Sequence, residues 1–336
     1  MALDLATYLV FFLILALNYA VLCLGLNLQW GFTGLFNVGV AGFFAIGAYT
    51  SAILTGPPRP EAVGGFDLPV LIGWLGGTLA AGVAALGVGW ATLRLRHDYL
   101  AITTFGIAVT IQLVALNEEW LTGGAFGIEA IPRPLAAWFT SPTQYNLFYL
   151  GLTLALVALV FWGLERLVRG PWGRLLRAIR EDEVAAASLG KDVRTQRLIA
   201  FALGSAIMGL AGAHFATFMG FIAPESFLPV VTFQVWAMLI LGGSGNNRGA
   251  VLGAILVWGL WSVAGVTVKA LLPPDLQVRG AALQVVLIGV VLAGVLLIRP
   301  RGLMGEERAI SPHTQATATA STAPSSTPAS GGPDAR

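Results

Sequence analysis

Tyr8-Leu9-Val10-Phe11-Phe12-Leu13-Ile14-Leu15-Ala16-Leu17-Asn18-Tyr19-Ala20-Val21-Leu22-Cys23-Leu24-Gly25-Leu26-Asn27-Leu28 contains no charged residue. A helix of about 20 mostly apolar residues spans the hydrocarbon of a bilayer. A cleavable signal has a basic segment before a shorter apolar run. Met1 to Tyr8 offers only Asp4 and the chain amine, so this first run is expected to stay in the membrane.

The rest of the chain shares this character. Of its 336 residues, 56% are hydrophobic and 11% charged, against roughly 25% charged in a soluble domain. So few charges cannot solvate a globular surface of this size, and the excess apolar surface is expected to face lipid. Glycine occurs 42 times; in membrane helices small residues let backbones approach closely. The net charge is +2 and the basic residues are scattered over short loops, which argues against a nucleic-acid partner. Cys23 is the single cysteine. It excludes an intrachain disulfide and a cysteine-rich metal site, and inside an apolar run it reads as small core filler.

Outward from residues 8–28, eight further segments have membrane-span character: 36–55, 68–93, 99–116, 146–164, 198–219, 228–242, 250–268 and 281–298. The expected fold is therefore an all-α polytopic bundle of about nine spans (eight to ten) over residues 1–305. The segment 228–242 is short and runs into Gly242-Gly243-Ser244-Gly245, which makes it a candidate broken or re-entrant element. Trp30, Trp90, Trp120 and Trp162 fall near span ends, where amphipathic rings prefer to sit. Three small-residue stripes suit close helix packing: Ser205, Gly209 and Ala213; Gly212, Ala216 and Gly220; Gly249 and Gly253.

The loops segregate by charge. Arg94 and Arg96, the eight basic residues from Arg166 to Arg197, then Arg248, Arg299, Arg301 and Arg308 fall on one side. The opposite loops hold only Arg59, Arg133, Lys269 and Arg279, together with Asp4, Glu61, Asp67, Glu118, Glu119, Glu129, Glu225 and Asp275. By the positive-inside rule this puts the N-terminus outside and the C-terminus in the cytoplasm of a cell or inner membrane. Residues 306–336 are largely Thr, Ala, Ser, Pro and Gly, a composition that cannot bury enough surface to offset chain entropy. They are expected to form a disordered cytoplasmic tail.

The longest basic loop contains Gly170-Pro171-Trp172-Gly173-Arg174-Leu175-Leu176-Arg177-Ala178-Ile179-Arg180-Glu181-Asp182-Glu183-Val184-Ala185-Ala186-Ala187-Ser188-Leu189-Gly190. Pro171 fits the first turn of a helix and Gly190 its end, predicting one short cytoplasmic helix over 172–189. Trp172, Leu175, Leu176 and Ile179 share one face, and the charged residues take the other. Such a helix can dock in a groove of a partner protein or rest on anionic lipid, and the pattern alone leaves both open.

Several chemistries find no support. No Gly-x-x-x-x-Gly-Lys-Ser/Thr phosphate loop occurs, and Gly242 to Gly249 lacks its lysine, so ATP has no ordinary cradle in this chain. Span interiors essentially lack Asp, Glu, Lys and Arg, which disfavours an ion-coupled carrier. His214 is the ionisable side chain at depth and reads as a neutral group bonded to a neighbouring helix; His97 reads as a solvated loop residue. No carboxylate pair, nucleophile with a base, or metal cluster shares a plausible site, so neither an enzyme nor a metal or cofactor site is expected. A structural membrane subunit that transports nothing remains open.

The residue order within the basic loop resembles the coupling segment of ABC importer permeases. Glu183, Ala185-Ala186 and Gly190 form a shifted Glu-Ala-Ala…Gly pattern, and Gly173 through Gly190 look like the branched-chain amino acid permease family, M-type subunit. Phe36 to Thr50 resembles that family's second span, Asp98 to Gly106 its next block, Leu121 to Ile128 its external Thr-Gly-Gly loop, and Leu241 to Gly245 with Gly249 its late Gly-rich turn. The likeness covers about residues 20–305. Val40 stands where the family usually has His, and His97 where it usually has Gly, which leaves the substrate open.

The resemblance implies a transport subunit of an ATP-driven importer for branched-chain or related amino acids, with urea or a short-chain amide as the alternative substrate. It implies a heterodimer with a second permease of the same family, two cytoplasmic ATPases that bind ATP and Mg, and an external solute-binding protein. Coupling to the ATPases would involve Arg177, Arg180, Glu181, Asp182, Glu183, Ala185, Ala186 and Gly190. A zwitterion cannot cross hydrocarbon without a polar path; Asn37, Thr103, Thr104, Gln112 and Asn117 are candidates to line it.

Overall fold

The computed structural model describes residues 2–59, 63–95, 97–271, 286, 289–290, 293–294, 297–299 and 302–305. The span expected at 281–298 lies largely outside these residues, and the tail expected at 306–336 lies wholly outside them. Among the described residues there are helices and no strand, apart from one isolated bridge between Ile128 and Ile222.

The long helices are α1 (Ala2–Leu26), α2 (Val40–Thr55), α3 (Val70–Thr92), α4 (His97–Asn117), then, after a short α5 (Glu119–Thr122), α6 (Pro142–Arg169). The basic loop forms α7 (Pro171–Glu181) and α8 (Glu183–Ser188), followed by α9 (Val193–Met219), α10 (Pro229–Gly242) and α11 (Asn247–Leu271). Among the described residues, seven helical stretches are long and apolar enough to cross a membrane: Thr7–Phe32, Val70–Thr92, Asp98–Asn117, Pro142–Arg169, Val193–Met219, Pro224–Gly242 and Asn247–Thr267. Of the expected segment 228–242, Pro229–Gly242 forms an unbroken helix, preceded by extended Leu228 and the 3-10 turn Pro224–Phe227.

The segment expected at 36–55 differs. Its helix, Val40–Thr55, has only 16 residues. α1 runs on through π-type turns over Asn27–Phe32, and the chain then crosses residues 34–39 without helix. Asn37 explains the late start of α2: its Oδ1 accepts the Gly39 N–H at 2.7 Å, which supports an open backbone where a helix would otherwise continue.

α2 is the buried axis of the bundle, packed by α3 and α9, with α4 and α10 on its other sides. Between membrane helices, packing rather than water exclusion supplies the attraction, so backbone approach decides the geometry. A side chain on Gly47 would overlap the Gly209 carbonyl, and one on Gly209 would press on Ala81. The stripe read at Ser205, Gly209 and Ala213 thus serves the α2–α3–α9 contact. The Gly249–Gly253 stripe serves the close pass of α11 against Gly242. The outer faces are apolar: α3 exposes Leu71, Leu75, Leu79 and Val83. Exposed Trp90 and Trp162 carry Arg94 and Arg166 over their rings at 6.0 and 5.7 Å, an arrangement suited to a membrane boundary. Trp30 instead packs inward against Phe36 and Trp236.

Candidate functional site

The basic loop folds as two helices, correcting the single helix expected over 172–189. Asp182 breaks it with an extended backbone (φ −152°, ψ 103°). Its Oδ1 accepts the Ala185 N–H at 2.9 Å and so caps α8. The acidic triplet therefore marks a helix start rather than a uniform charged face. Pro171 opens α7, and Gly190 closes α8 at φ +75°, the left-handed backbone that favours glycine.

Leu176 and Ile179 are buried, and Ile179, Ala186 and Val193 form a small apolar cluster with Leu175. Trp172 Nε1 donates to Gln196 Oε1 at 2.8 Å. Glu183 accepts from Arg197 Nη1 through both oxygens, at 2.9 and 2.7 Å. Asp192 caps α9, and hydrogen bonds from Thr195 hold its carboxyl below the usual carboxylate range. Ala186 and Glu183 therefore face this chain's own α9. The outward surface is made by Glu181, Asp182, Val184, Ala185 and Leu189, with Val184 78% and Leu189 79% exposed. Two large apolar side chains bared on so short a helix and its C-cap suit a protein partner better than water.

At the same end of the bundle, the break after α1 is enclosed by buried polar groups. Gln29 Nε2 donates to the Phe201 carbonyl (2.7 Å) and lies 3.0 Å from Ser205 Oγ, while Asn37 Nδ2 donates to Gln29 Oε1 at 2.8 Å. Thr104 Oγ1 and Thr232 Oγ1 accept the N–H groups of Val38 and Ala41, and Trp236 Nε1 donates to the Asn37 carbonyl. Asn27 donates to Asn247 Oδ1 at 2.9 Å and accepts from Gly245 N, and Asn247 donates to Glu165. Irregular backbone inside a membrane protein persists only where such groups satisfy it.

Of the five path candidates, the structure brings Asn37 and Thr104 together in this network. Thr103, Gln112 and Asn117 lie on other sides of α4; Thr103 and Asn117 bond to carbonyls of their own helix, those of Tyr99 and Leu113. Gln29, Thr232 and Trp236 were not singled out in the sequence, although the amide of Gln29 at the end of an apolar run is a visible signal. His214 joins three helices: Nδ1 lies 3.0 Å from Asn18 Oδ1 and Nε2 3.1 Å from Thr153 Oγ1. His97 opens α4, and its side chain lies outside the described residues. Among the described residues no three His, Cys, Asp or Glu side chains gather where a metal could sit.

The family model described as "Branched-chain amino acid transport system / permease component" matches residues 8–296. The chain belongs to this permease family. The permease is 37% identical to the high-affinity branched-chain amino acid transport system permease protein LivM of Escherichia coli K12 over 264 residues, 72% of this chain and 60% of that protein. It is 28% identical to the probable branched-chain amino acid transport permease protein LivM of Methanocaldococcus jannaschii, over 88% of this chain and 92% of the relative. It is also 24% identical to LivH, the high-affinity branched-chain amino acid transport system permease protein of Salmonella typhimurium, over 86% of this chain and 91% of that protein. The permease thus spans about 60% of the length of the Escherichia coli protein. No solved structure matches it. With its apolar helices, the permease is a multi-pass membrane protein.

Proposed function

We propose that the chain is a permease subunit of an ATP-driven importer for branched-chain or related amino acids. It pairs with a second permease of the same family and works with two ATPases, which bind ATP and Mg, and with an external solute-binding protein. The basic loops, α7 and α8 lie in the cytoplasm, and the N-terminus lies outside. The observation that carries this reading is the exposure of Val184 on α8 and of Leu189 at its C-cap, in a segment anchored to α9. It suits docking of an ATPase subunit. Asn37 and Thr104 belong to a polar seam formed by the end of α1, the start of α2, the first half of α4 and the first half of α10, and Thr103, Gln112 and Asn117 are further path candidates on other sides of α4.

The test is uptake by proteoliposomes that contain both permeases and the ATPases, with solute-binding protein outside. ATP-dependent accumulation of leucine, isoleucine or valine supports the reading. Accumulation of urea or a short amide in their place moves the substrate. Uptake driven by an ion gradient without ATP overturns it.

A further inference from the structure

α7 touches more than the neighbouring α6 and α9. Arg180, in its last turn, reaches into the end of α1: Nη1 donates to the Gly31 carbonyl. Gly31 lies in the terminal π-type turns, where a helix runs out of its own donors, and a guanidinium makes a strong charge-assisted bond to such a carbonyl. The aliphatic stem of Arg180 covers Gly34, whose Cβ position would lie 3.0 Å from Arg180 Cγ. Gly31 itself has no room for a side chain, which would overlap Asn27 Oδ1 and the Gly245 backbone. Asn27 in turn holds Gly245 and Asn247, and three residues beyond Gly34, Asn37 holds Gln29. Beside the contact is a cavity of about 280 Å³, lined by Trp30, Gly31, Gly34, Arg180 and Ser244. The Arg180 side chain thus borders both open space and a packed polar network, and its Nη2 is held by Glu181 Oε1 at 2.9 Å.

We infer that Arg180 is a positioning residue that acts inward, a latch through which displacement of α7 moves the broken end of α1 and the polar network from Asn27 to Asn37. This rests on the coupling role proposed above. An arginine directed outward at an ATPase would not need its stem over Gly34 or its guanidinium on a backbone carbonyl. The latch joins the docking segment to the place where the helix is already interrupted, so a small motion there costs few intrahelical bonds.

The test uses Arg180→Met, which keeps the stem and removes the guanidinium, and Arg180→Lys, which keeps a charge but not the fork. Both are placed in full-length chain carrying Cys23→Ala and Ser244→Cys, alone and assembled with the second permease and the ATPases. Three quantities are measured: ATPase retained through purification, maleimide labelling rate at position 244 with and without ATP and vanadate, and ATP turnover stimulated by solute-binding protein. The unmutated latch is expected to give nucleotide-dependent labelling. Arg180→Met is expected to retain the ATPases, label at one rate in both states, and lose stimulation about tenfold, within the range of about 5- to 150-fold usual for coupling between sites. Nucleotide-dependent labelling and full stimulation in Arg180→Met would overturn the latch. So would loss of the ATPases from that variant, because Arg180 would then be holding the partner. If Arg180-containing chain itself retains no ATPase, the proposed function fails instead. The latch is then judged on isolated chain, where Arg180→Met should label about tenfold faster at 244 and an unchanged rate overturns it.

Discussion

Arg197 Nη1 donates to both carboxylate oxygens of Glu183, at 2.9 and 2.7 Å, and so ties the first residue of α8 to the first turns of α9. The Arg197 side chain is 10% exposed and that of Glu183 is 49% exposed. The pair is thus a strut: the arginine is buried in this chain, and the carboxylate that satisfies it fixes the angle at which α8 stands out from the bundle.

Removing the carboxylate leaves a buried guanidinium without its partner. Breaking a fully buried pair costs about 3–5 kcal/mol, and the half-exposed Glu183 reduces this to about 1–2 kcal/mol. Glu183→Ala should therefore lower the thermal midpoint of the detergent-solubilised chain. Arg197→Met in the same chain should recover part of the loss. A double-mutant cycle with no coupling between the two positions would show that the pair is not a strut.

Asn37 serves three partners at once: Gln29, Gly39 and, through its carbonyl, Trp236. Asn37→Ala orphans the buried Gln29 Oε1 and Gly39 N–H, each at about 1–3 kcal/mol. The expected result is membrane-inserted protein with lower thermal stability and uptake reduced at least tenfold. Normal uptake in proteoliposomes would remove Asn37 from the path and from the support of the break.

Two glycines separate packing from propensity. Gly47→Val drives a branched side chain into the Gly209 backbone, an overpacking cost of about 1–3 kcal/mol or more, and should abolish monodisperse protein on size-exclusion chromatography. Gly106 has no atom within 4 Å of a Cβ position, and Gly106→Ala should be neutral or stabilising by up to about 1 kcal/mol. Equal behaviour of the two variants would contradict the packing described for α2 and α9.

The charge asymmetry of the loops predicts which ends face which compartment. In a Cys23→Ala background, single cysteines at Ser188 and at Ala125 should label oppositely with an impermeant thiol reagent on intact cells: Ala125→Cys readily, Ser188→Cys only after permeabilisation. Ready labelling at position 188 on intact cells would reverse the orientation.

Much of this architecture is legible in the sequence. Long uncharged runs leave no alternative to membrane helices, and Pro171 and Gly190 bracket the basic-loop segment correctly. Two features escaped because they depend on single side chains bonding to backbone. Asn37 holds residues 34–39 open, so α2 starts at Val40 although the hydropathy of 36–55 is unbroken. Asp182 caps α8, which splits an amphipathic pattern that reads as one helix. The direction of Glu183 and Ala186 was also hidden: helical spacing sorts residues onto faces, but α9, remote in sequence, decides which face is inward. Thr103, Gln112 and Asn117 are as polar as Thr104 in the sequence, and only the packing of α4 on the break separates them.

The central claim is that the exposed face of α8 engages an ATPase subunit. The most direct measurement is ATP turnover stimulated by solute-binding protein, with and without anionic lipid, for complexes carrying Val184→Asp with Leu189→Asp and, separately, Arg174→Gln. Docking predicts that the first variant leaves the permease inserted but loses at least tenfold of the stimulation, while Arg174→Gln keeps most of it whether or not anionic lipid is present. Full stimulation in the Val184 and Leu189 variant, with loss in Arg174→Gln that depends on anionic lipid, would mean that the segment rests on the membrane and would contradict the account.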